Sequence, residues 1–589
     1  MTPPAVNRPF LSPTTRIRVW YGLLAIIMAV FVVRLFYLQV IRYNHYHIAA
    51  LQTQLKQYEI PPARGIIEAH EGDQVVPIVL NEPRYTLFAD PKYVKDPAQA
   101  AGKIQGNIGG DYSQYINVMK QNSRYAVLAK KLTKEQKDKL DKLNLLGIGT
   151  REEDYRTYPQ GPLAAQLLGF VNDEGQGKYG LEQYLNKELQ GTPGELKAIT
   201  DAQGVPLAAN KDNVLKAPKS GDRVTMTIDI AMQRQAEDIL KAGLDAAKSK
   251  SGGAIIMDPY TGAIKAMANY PTYNPGEFYK VTDANAFNNN DVSSPLEVGS
   301  IMKPLTAAAA LNQGVVNANT TYFDPSRFTI GDATVTNIEE DGGPGTRSIS
   351  DILSLSLNTG ATWLLMQMGG GEVNQKARDA WHDYMVNHYQ FGKPTGIEQG
   401  YEAGGSIPDP DKGFGLNIQY ANTAFGQGMT ATPLQMGAAL SSLVNGGTYY
   451  QPHLIDRTTA ADGRITTKQP TIIKNGVVSA NVSTTLVGFL ENVINRNHIT
   501  YGMPNLRSQF MIGGKTGTAQ IAKPTGGYYE DKYNGMFMGF VGGNKAQYVI
   551  VVRVDQPGIT GYAGSKAAAP IFGNLTNMLI DNFGVLPKS

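Results

Sequence analysis

Ser300-Ile301-Met302-Lys303 is the only Ser-x-x-Lys in the chain, and it is the natural place to look for a nucleophile. If the tetrad opens a helix, the two side chains stand one turn apart on one face, close enough for Lys303 to take the serine proton. Gly299 precedes the serine, Pro304 is tolerated in a first turn, and the Ala-rich Leu305 to Leu311 predicts the helix that follows. A lysine that acts as base must be neutral, which requires desolvation or a neighbouring cation. The plain alternative is an ordinary helix start.

Two further groups could complete such a site. Ser356-Leu357-Asn358 follows the helical-looking Ile349 to Leu355; its hydroxyl could relay a proton, and its amide could hold a peptide group. Ser479-Ala480-Asn481 has the same spelling, and Ser and Asn both favour turns, so the motif also reads as turn chemistry. Lys515-Thr516-Gly517-Thr518 lies between Met511-Ile512-Gly513-Gly514 and Ala519-Gln520-Ile521, a strand whose glycines admit a ligand close to the backbone. Lys-Ser-Gly recurs at Lys219 and Lys250, both ahead of Ser300. Rival designs are missing: the chain has no Gly-x-Ser-x-Gly elbow, no His-Glu-x-x-His helix and no phosphate loop. Its 7 histidines show no metal spacing and it has no cysteine to ligate a metal.

The elements that must position these groups are legible in outline. Arg223 to Ile228 alternates as a strand, and Asp229 caps a helix from Ile230. Gly253 to Met257 and Ala263 to Met267 read as a hairpin; Phe537 to Gly542 and Tyr548 to Val554 are two more apolar strands. Strands at both ends with helices between them predict an α+β domain, a sheet with helices on either side, over 216–589. Ahead of it, 46–215 reads as a mixed pedestal domain, starting in a polar helical stalk over 46–60 and ending in a linker over 211–221.

Residues 1–45 have another character. Val19 to Val33 is apolar and uncharged, and Leu35 to Ile41 continues it past Arg34, giving about the 20 residues of a membrane span. Arg8, Arg16 and Arg18 precede the run and the first acid of the chain is Glu59, which predicts an uncleaved anchor with its N-terminus in the cytoplasm and the bulk outside. A cleaved signal peptide or a buried helix are the competing readings. Over all 589 residues the net charge is only +3, with 42% hydrophobic and 18% charged residues and no basic patch interleaved with aromatics. Nucleic-acid binding is therefore not expected.

Ser-x-x-Lys, Ser-x-Asn and Lys-Thr-Gly, in that order, form the active-site set of penicillin-binding proteins and class A β-lactamases. With them the chain resembles class B penicillin-binding proteins, the monofunctional peptidoglycan transpeptidases, and most of all their division-specific septal branch. The likeness extends to Arg34-Leu35-Phe36-Tyr37-Leu38-Gln39-Val40, Pro62-Ala63-Arg64-Gly65-Ile66-Ile67, Arg156-Thr157-Tyr158-Pro159, Leu168-Gly169-Phe170-Val171 and Tyr179-Gly180-Leu181-Glu182. It continues in Gly426-Gln427-Gly428, Thr432-Pro433-Leu434-Gln435-Met436 and Ala568-Ala569-Pro570-Ile571-Phe572. Glu68 to Asp73 departs from the family's wording, and Val298 stands where proline is common.

The resemblance implies a central antiparallel sheet with helices on both sides. It implies Ser300 as the nucleophile on a D-Ala–D-Ala stem peptide and Lys303 as its base. Ser356 would pass a proton to the leaving D-Ala, and Lys515 would set that network's electrostatics. It places the substrate amide on Asn358, the carboxylate on Thr516 and Thr518 along the Gly517 strand, and the oxyanion on the N–H groups of Ser300 and Thr518. β-Lactams would acylate Ser300. The resemblance implies neither a metal nor a cofactor. The partners it implies are the cytoplasmic membrane, a polytopic glycan polymerase and other division proteins. Arg64 would serve partner recognition, or else hold the pedestal through a carboxylate such as Glu182. An elongation-type transpeptidase, a carboxypeptidase or β-lactamase, and a non-catalytic division scaffold are the alternatives.

Overall fold

The apolar run near the N-terminus is a helix from Pro13 to Phe36, continued by a wider π-type turn over Tyr37–Ile41. Its apolar side chains, Leu24, Ile26 and Phe31 among them, are exposed. The computed structural model describes residues 13–46, 55–199, 214–337, 343–523 and 526–589. Among these, Ile17–Ile41 is the one segment long and apolar enough to cross a membrane. At 25 residues it reaches roughly 37 Å, beyond the ~30 Å of hydrocarbon.

The chain divides into two compact units, one of residues 1–62 with 192–219, the other of 63–191 with 220–589. In the first, Leu55–Ile60 is a strand paired antiparallel with Gly194–Ile199, which also pairs with Val214–Lys216. This corrects the helical stalk expected over 46–60, of which 47–54 lie outside the described residues. A strand takes its hydrogen bonds from a partner far along the chain, which a local reading of a charged hexapeptide cannot see. The same sheet takes up 214–216 of the expected linker, whose residues 211–213 also lie outside the described ones.

Two large sheets build the second unit, beside four two-stranded ribbons among the described residues. The larger has seven strands in the order Ile465–Thr467, Ile455–Thr459, Arg223–Asp229, Ile67–Glu71, Gln74–Ala89, Ala126–Leu132, with Ile148–Thr157 also on Gln74–Ala89. Ile67–Glu71 runs parallel to Arg223–Asp229, with Val224 opposite Ile67. Strands from both sides of residue 215 therefore share one ladder. Gly65 leads into it at a point where the Gly65 N–H donates to Leu189 O at 2.7 Å and a Cβ would sit 1.9 Å from Asp222 O, so only glycine fits. Beside it, the fully buried Glu182 takes Arg64 on Oε2, with Nε at 2.8 Å, and Arg156 Nε on Oε1 at 2.7 Å. Asn81 joins the two arginines, accepting from Arg156 Nη1 at 2.9 Å and donating to Arg64 O at 2.5 Å. Three stretches remote in sequence thus close on one carboxylate, which is the structural alternative raised above for Arg64.

The second sheet has five strands, in the order Ile264–Tyr270, Ser251–Met257, Ala546–Asp555, Tyr528–Gly542, Met511–Ala522. All neighbours are antiparallel. Its central strands are buried on both faces, which explains why Val549 to Val552 and Ile255–Ile256 are continuous apolar runs rather than alternating ones. On one face Phe572, from the helix Ala569–Asn582, stacks on Phe537 at 4.3 Å. On the other, the helix Pro433–Val444 comes so close that a Cβ on Gly437 would meet Met257 Sδ at 3.1 Å and Val551 Cγ2 at 3.2 Å. Met511–Ala522, the strand with Lys515, is left at the sheet's edge.

Candidate active site

Ser300 stands in a 3₁₀ turn, Gly299–Met302, and the α-helix proper runs from Lys303 to Asn312. The expected helix start is therefore a tighter turn that feeds the helix. The relation between serine and lysine survives this, because residues i and i+3 eclipse in a 3₁₀ turn. The helix is buried on every side, with Ala307 to Ala310 inaccessible, and so Lys303 is itself 0% exposed. Alanines let neighbouring elements approach closely enough to exclude water from its stem.

Gly299 has φ +60°, and a Cβ there would lie 2.7 Å from Thr518 O. Both the backbone angle and the crowding require glycine. The Gly299 N–H donates to Gly426 O at 3.0 Å, so the Gly426-Gln427-Gly428 loop buttresses the turn from another side. Gly517 serves the same end: a Cβ there would sit 2.7 Å from Val298 O and 3.3 Å from Ile301 N. The edge strand lies directly against the nucleophile turn, which places Ser300 beside Gly517 and Thr518.

Ser356 occupies the turn between the helices Ile349–Ser354 and Asn358–Met368 at φ +59°, a conformation that costs a non-glycine residue ~1–3 kcal/mol. Lys303 Nζ holds it, donating to its carbonyl oxygen and to its Oγ at 3.1 Å. Lys515 Nζ donates to the same Oγ at 2.9 Å, and also to Thr516 O and Oγ1 at 3.2 and 3.3 Å. Lys515 is 0% exposed as well. Two buried amines therefore share one hydroxyl.

Asn358, expected in a loop, is the first residue of its helix and donates from Nδ2 to Thr336 O at 3.1 Å. Behind it, buried Asp324 accepts from Thr359 Oγ1 and Asn337 Nδ2, each at 3.0 Å, and Asn337 Oδ1 accepts from the Thr359 backbone N–H, also at 3.0 Å. The Thr518 hydroxyl oxygen accepts from Gly564 N at 3.0 Å, which leaves its O–H to donate elsewhere. The second Ser-x-Asn plays another part: Ser479 caps the helix Ala480–Asn497, accepting from Val482 N at 3.3 Å. Lys219 sits in a bridge with Thr192, and Lys250 only precedes the strand Ser251–Met257.

Sequence reasoning missed the Asp324–Asn337–Thr359 support, which only tertiary contact assembles. It also missed Glu297, which accepts from Gly428 N at 3.0 Å and from Tyr528 O–H at 2.9 Å. Its place as the first charged residue before the Ser-x-x-Lys tetrad was a signal that could have found it.

The chain is similar to known proteins along most of its length. The family model described as the penicillin binding protein transpeptidase domain matches residues 252–577, and the one described as the penicillin-binding protein dimerisation domain matches 59–226. Stage V sporulation protein D of Bacillus subtilis is 30% identical over 98% of this chain and 87% of its own length. Peptidoglycan D,D-transpeptidase FtsI of Escherichia coli is 26% identical over 96% and 92%. Among solved structures, penicillin binding protein 2X of Streptococcus thermophilus superposes with a TM-score of 0.70 at 22% identity, covering 89% of this chain and 80% of that one. Penicillin binding protein 3 of Mycobacterium tuberculosis, complexed with aztreonam, superposes with a TM-score of 0.67 at 24% identity, covering 90% and 98%.

Proposed function

Since the chain belongs to the penicillin-binding protein transpeptidase family, we propose that it is a membrane-anchored peptidoglycan D,D-transpeptidase of the septal type, working through an acyl-enzyme on Ser300. The observation that carries the reading is the Ser356 hydroxyl held between Lys303 and Lys515. Lys303 takes the proton of Ser300, whose Oγ attacks the carbonyl carbon of the penultimate D-Ala. The C–N bond to the terminal D-Ala breaks, and Ser356 hands that nitrogen its proton, taking in exchange the one Lys303 removed from Ser300, while the cation on Lys515 fixes the hydroxyl's direction. An amine of a second stem then attacks the ester, and its proton passes through Ser356 and Lys303 back to the Ser300 oxygen, which frees the serine and completes the cross-link. Asn358 holds the stem's amide, Thr516 and Thr518 take its carboxylate along the Gly517 strand, and the N–H groups of Ser300 and Thr518 stabilise the oxyanion. A β-lactam enters the same path but keeps its leaving nitrogen tethered, so Ser300 stays acylated.

In this reading 1–45 are the cytoplasmic stub and anchor, 46–215 the pedestal, and 216–589 the extracytoplasmic transpeptidase domain. The pedestal is the part that meets a polytopic glycan polymerase and other division proteins. The test is covalent labelling of the detergent-solubilised full chain with a fluorescent penicillin, beside the formation of cross-linked dimers from stem peptides ending in D-Ala-D-Ala. Ser300→Ala should abolish both without lowering the thermal midpoint. Labelled Ser300→Ala protein would sink the assignment. Rapid nitrocefin turnover would instead identify a hydrolase. A fluorescent fusion spread along the side wall, rather than gathered at the division site, would favour the elongation role.

A further inference from the structure

Glu297 lies three residues before Ser300 and has no part in the reaction above. Its Oε1 takes both Gly428 N and Tyr528 O–H, while its Oε2 is buried with no hydrogen-bond partner among the described residues. The two donors come from different walls of the site. Gly428 ends the loop whose Gly426 carbonyl holds the Gly299 N–H. Tyr528 opens the strand Tyr528–Gly542, the return arm of the hairpin whose outgoing arm carries Lys515, Thr516 and Thr518.

That hairpin overhangs its sheet. Its arms pair from Met511 opposite Gly542 out to Ala522 opposite Tyr528, whereas the next strand, Ala546–Asp555, supports the return arm only from Asn534 to Gly542. Over 528–533 the ribbon has two strands, and a two-stranded ribbon is marginal in water without an anchor. Burial raises the Glu297 carboxyl above its ordinary value, against the pull of its two donors. Burial and the facing carboxylate both raise the Tyr528 phenol, which keeps it a donor.

We propose that Glu297 is a positioning residue that pins the overhanging end of the Lys515 hairpin, through Tyr528, and the Gly426–Gly428 loop, through Gly428, to the nucleophile turn. The pin fixes the wall along which the acyl donor lies, and so acts on donor binding more than on bond making; it rests on the acyl-enzyme reading. Tyr528→Phe removes one donor, Glu297→Ala removes the acceptor, and Glu297→Gln keeps an amide oxygen that can accept from both. In the detergent-solubilised full chain, Tyr528→Phe and Glu297→Ala should each raise the apparent dissociation constant for a fluorescent penicillin about tenfold and leave the acylation rate constant within about threefold. Hydrogen exchange over 519–533 should quicken in both, and Glu297→Gln should restore the parent behaviour. Combining the two changes should weaken binding no further than Glu297→Ala alone, since that change already breaks the Tyr528 contact. Parent-like binding and exchange in Tyr528→Phe and Glu297→Ala would overturn the proposal. So would losses in Glu297→Ala that follow only a lowered thermal midpoint, with Tyr528→Phe unaffected. Labelling that survives Ser300→Ala is a separate outcome and defeats the acyl-enzyme reading instead.

Discussion

Lys303 and Lys515 reach the same oxygen from opposite elements, a buried helix and an edge strand, with their Nζ atoms 3.1 and 2.9 Å from Ser356 Oγ. Their roles in the proposed reaction differ, because one must lose its proton and the other serves as a cation. Lys303→Arg, which cannot deprotonate at working pH, should acylate at least about a thousandfold more slowly than the parent. Lys515→Arg should keep a measurable fraction of the rate. Stopped-flow acylation of the two variants checks this, and equal rates would remove the distinction.

Ser356→Ala takes the shared acceptor away from both amines and removes the relay to the leaving nitrogen. Transpeptidation should fall about 10²–10⁴-fold, the usual range for losing a positioned proton donor. Acylation by a β-lactam, whose leaving nitrogen needs the same proton, should fall with it. Single-turnover rates with both substrates are the measurement, and an unchanged pair of rates would leave Ser356 a structural turn residue.

These chemical groups were legible because each combines a reactive side chain with a local backbone demand. Ser300 and Lys303 needed only helical spacing; the strand glycines were expected to admit a ligand, and at Gly517 it is the Val298 carbonyl that comes close. The hairpin strands and the Asp229 cap were local too; Asp229 accepts from Met232 N at 2.9 Å. What stayed hidden depended on partners far along the chain. Leu55–Ile60 becomes a strand only because Gly194–Ile199 is there to pair with it. Glu297, marked in the sequence only as the first charged residue before the tetrad, gains meaning when Gly428 and Tyr528 arrive.

Arg64→Glu would set a second carboxylate against Glu182, which is fully buried and already holds Arg156. Breaking a buried ion pair from one side costs ~3–5 kcal/mol. The thermal midpoint should drop by several degrees, while the fraction that remains folded acylates within a few-fold of the parent. Scanning calorimetry beside penicillin labelling tests this, and an unchanged midpoint would return Arg64 to a role in partner recognition.

Asp291 is fully buried, and its Oδ1 lies 2.2 Å from where a Cβ on Gly253 would be. Burial pushes its carboxyl up to about 7, with Asp555 adding to the rise and Arg553 and Asn269 opposing it. The folded chain therefore keeps a proton that the unfolded chain releases near 3.8. Stability is fully present below that pH and is lost as pH rises toward about 7, by roughly 4 kcal/mol at most. Asp291→Asn, which mimics the neutral form, should flatten the fall in thermal midpoint between about pH 4 and 7. Parallel slopes for parent and variant would show that Asp291 is not the group that titrates.

A reporter active only in the cytoplasm should be silent when fused after residue 215 and active when fused within residues 1–15, given the span Ile17–Ile41. Activity at the later position would overturn the orientation and, with it, access to an extracytoplasmic substrate.

The ladder that joins Ile67–Glu71 to Arg223–Asp229 bears on how the chain can be cut. A fragment beginning near residue 216 would strip the parallel neighbour from Arg223–Asp229 and bare the backbone edge of a strand whose Val224, Met226 and Ile228 are fully buried in the intact protein. Such an edge recruits other chains, and the fragment should aggregate. A cut just before Ala63 keeps every strand of that ladder. The catalytic half of this molecule is thus not a portable module: its soluble form must carry the pedestal strands with it.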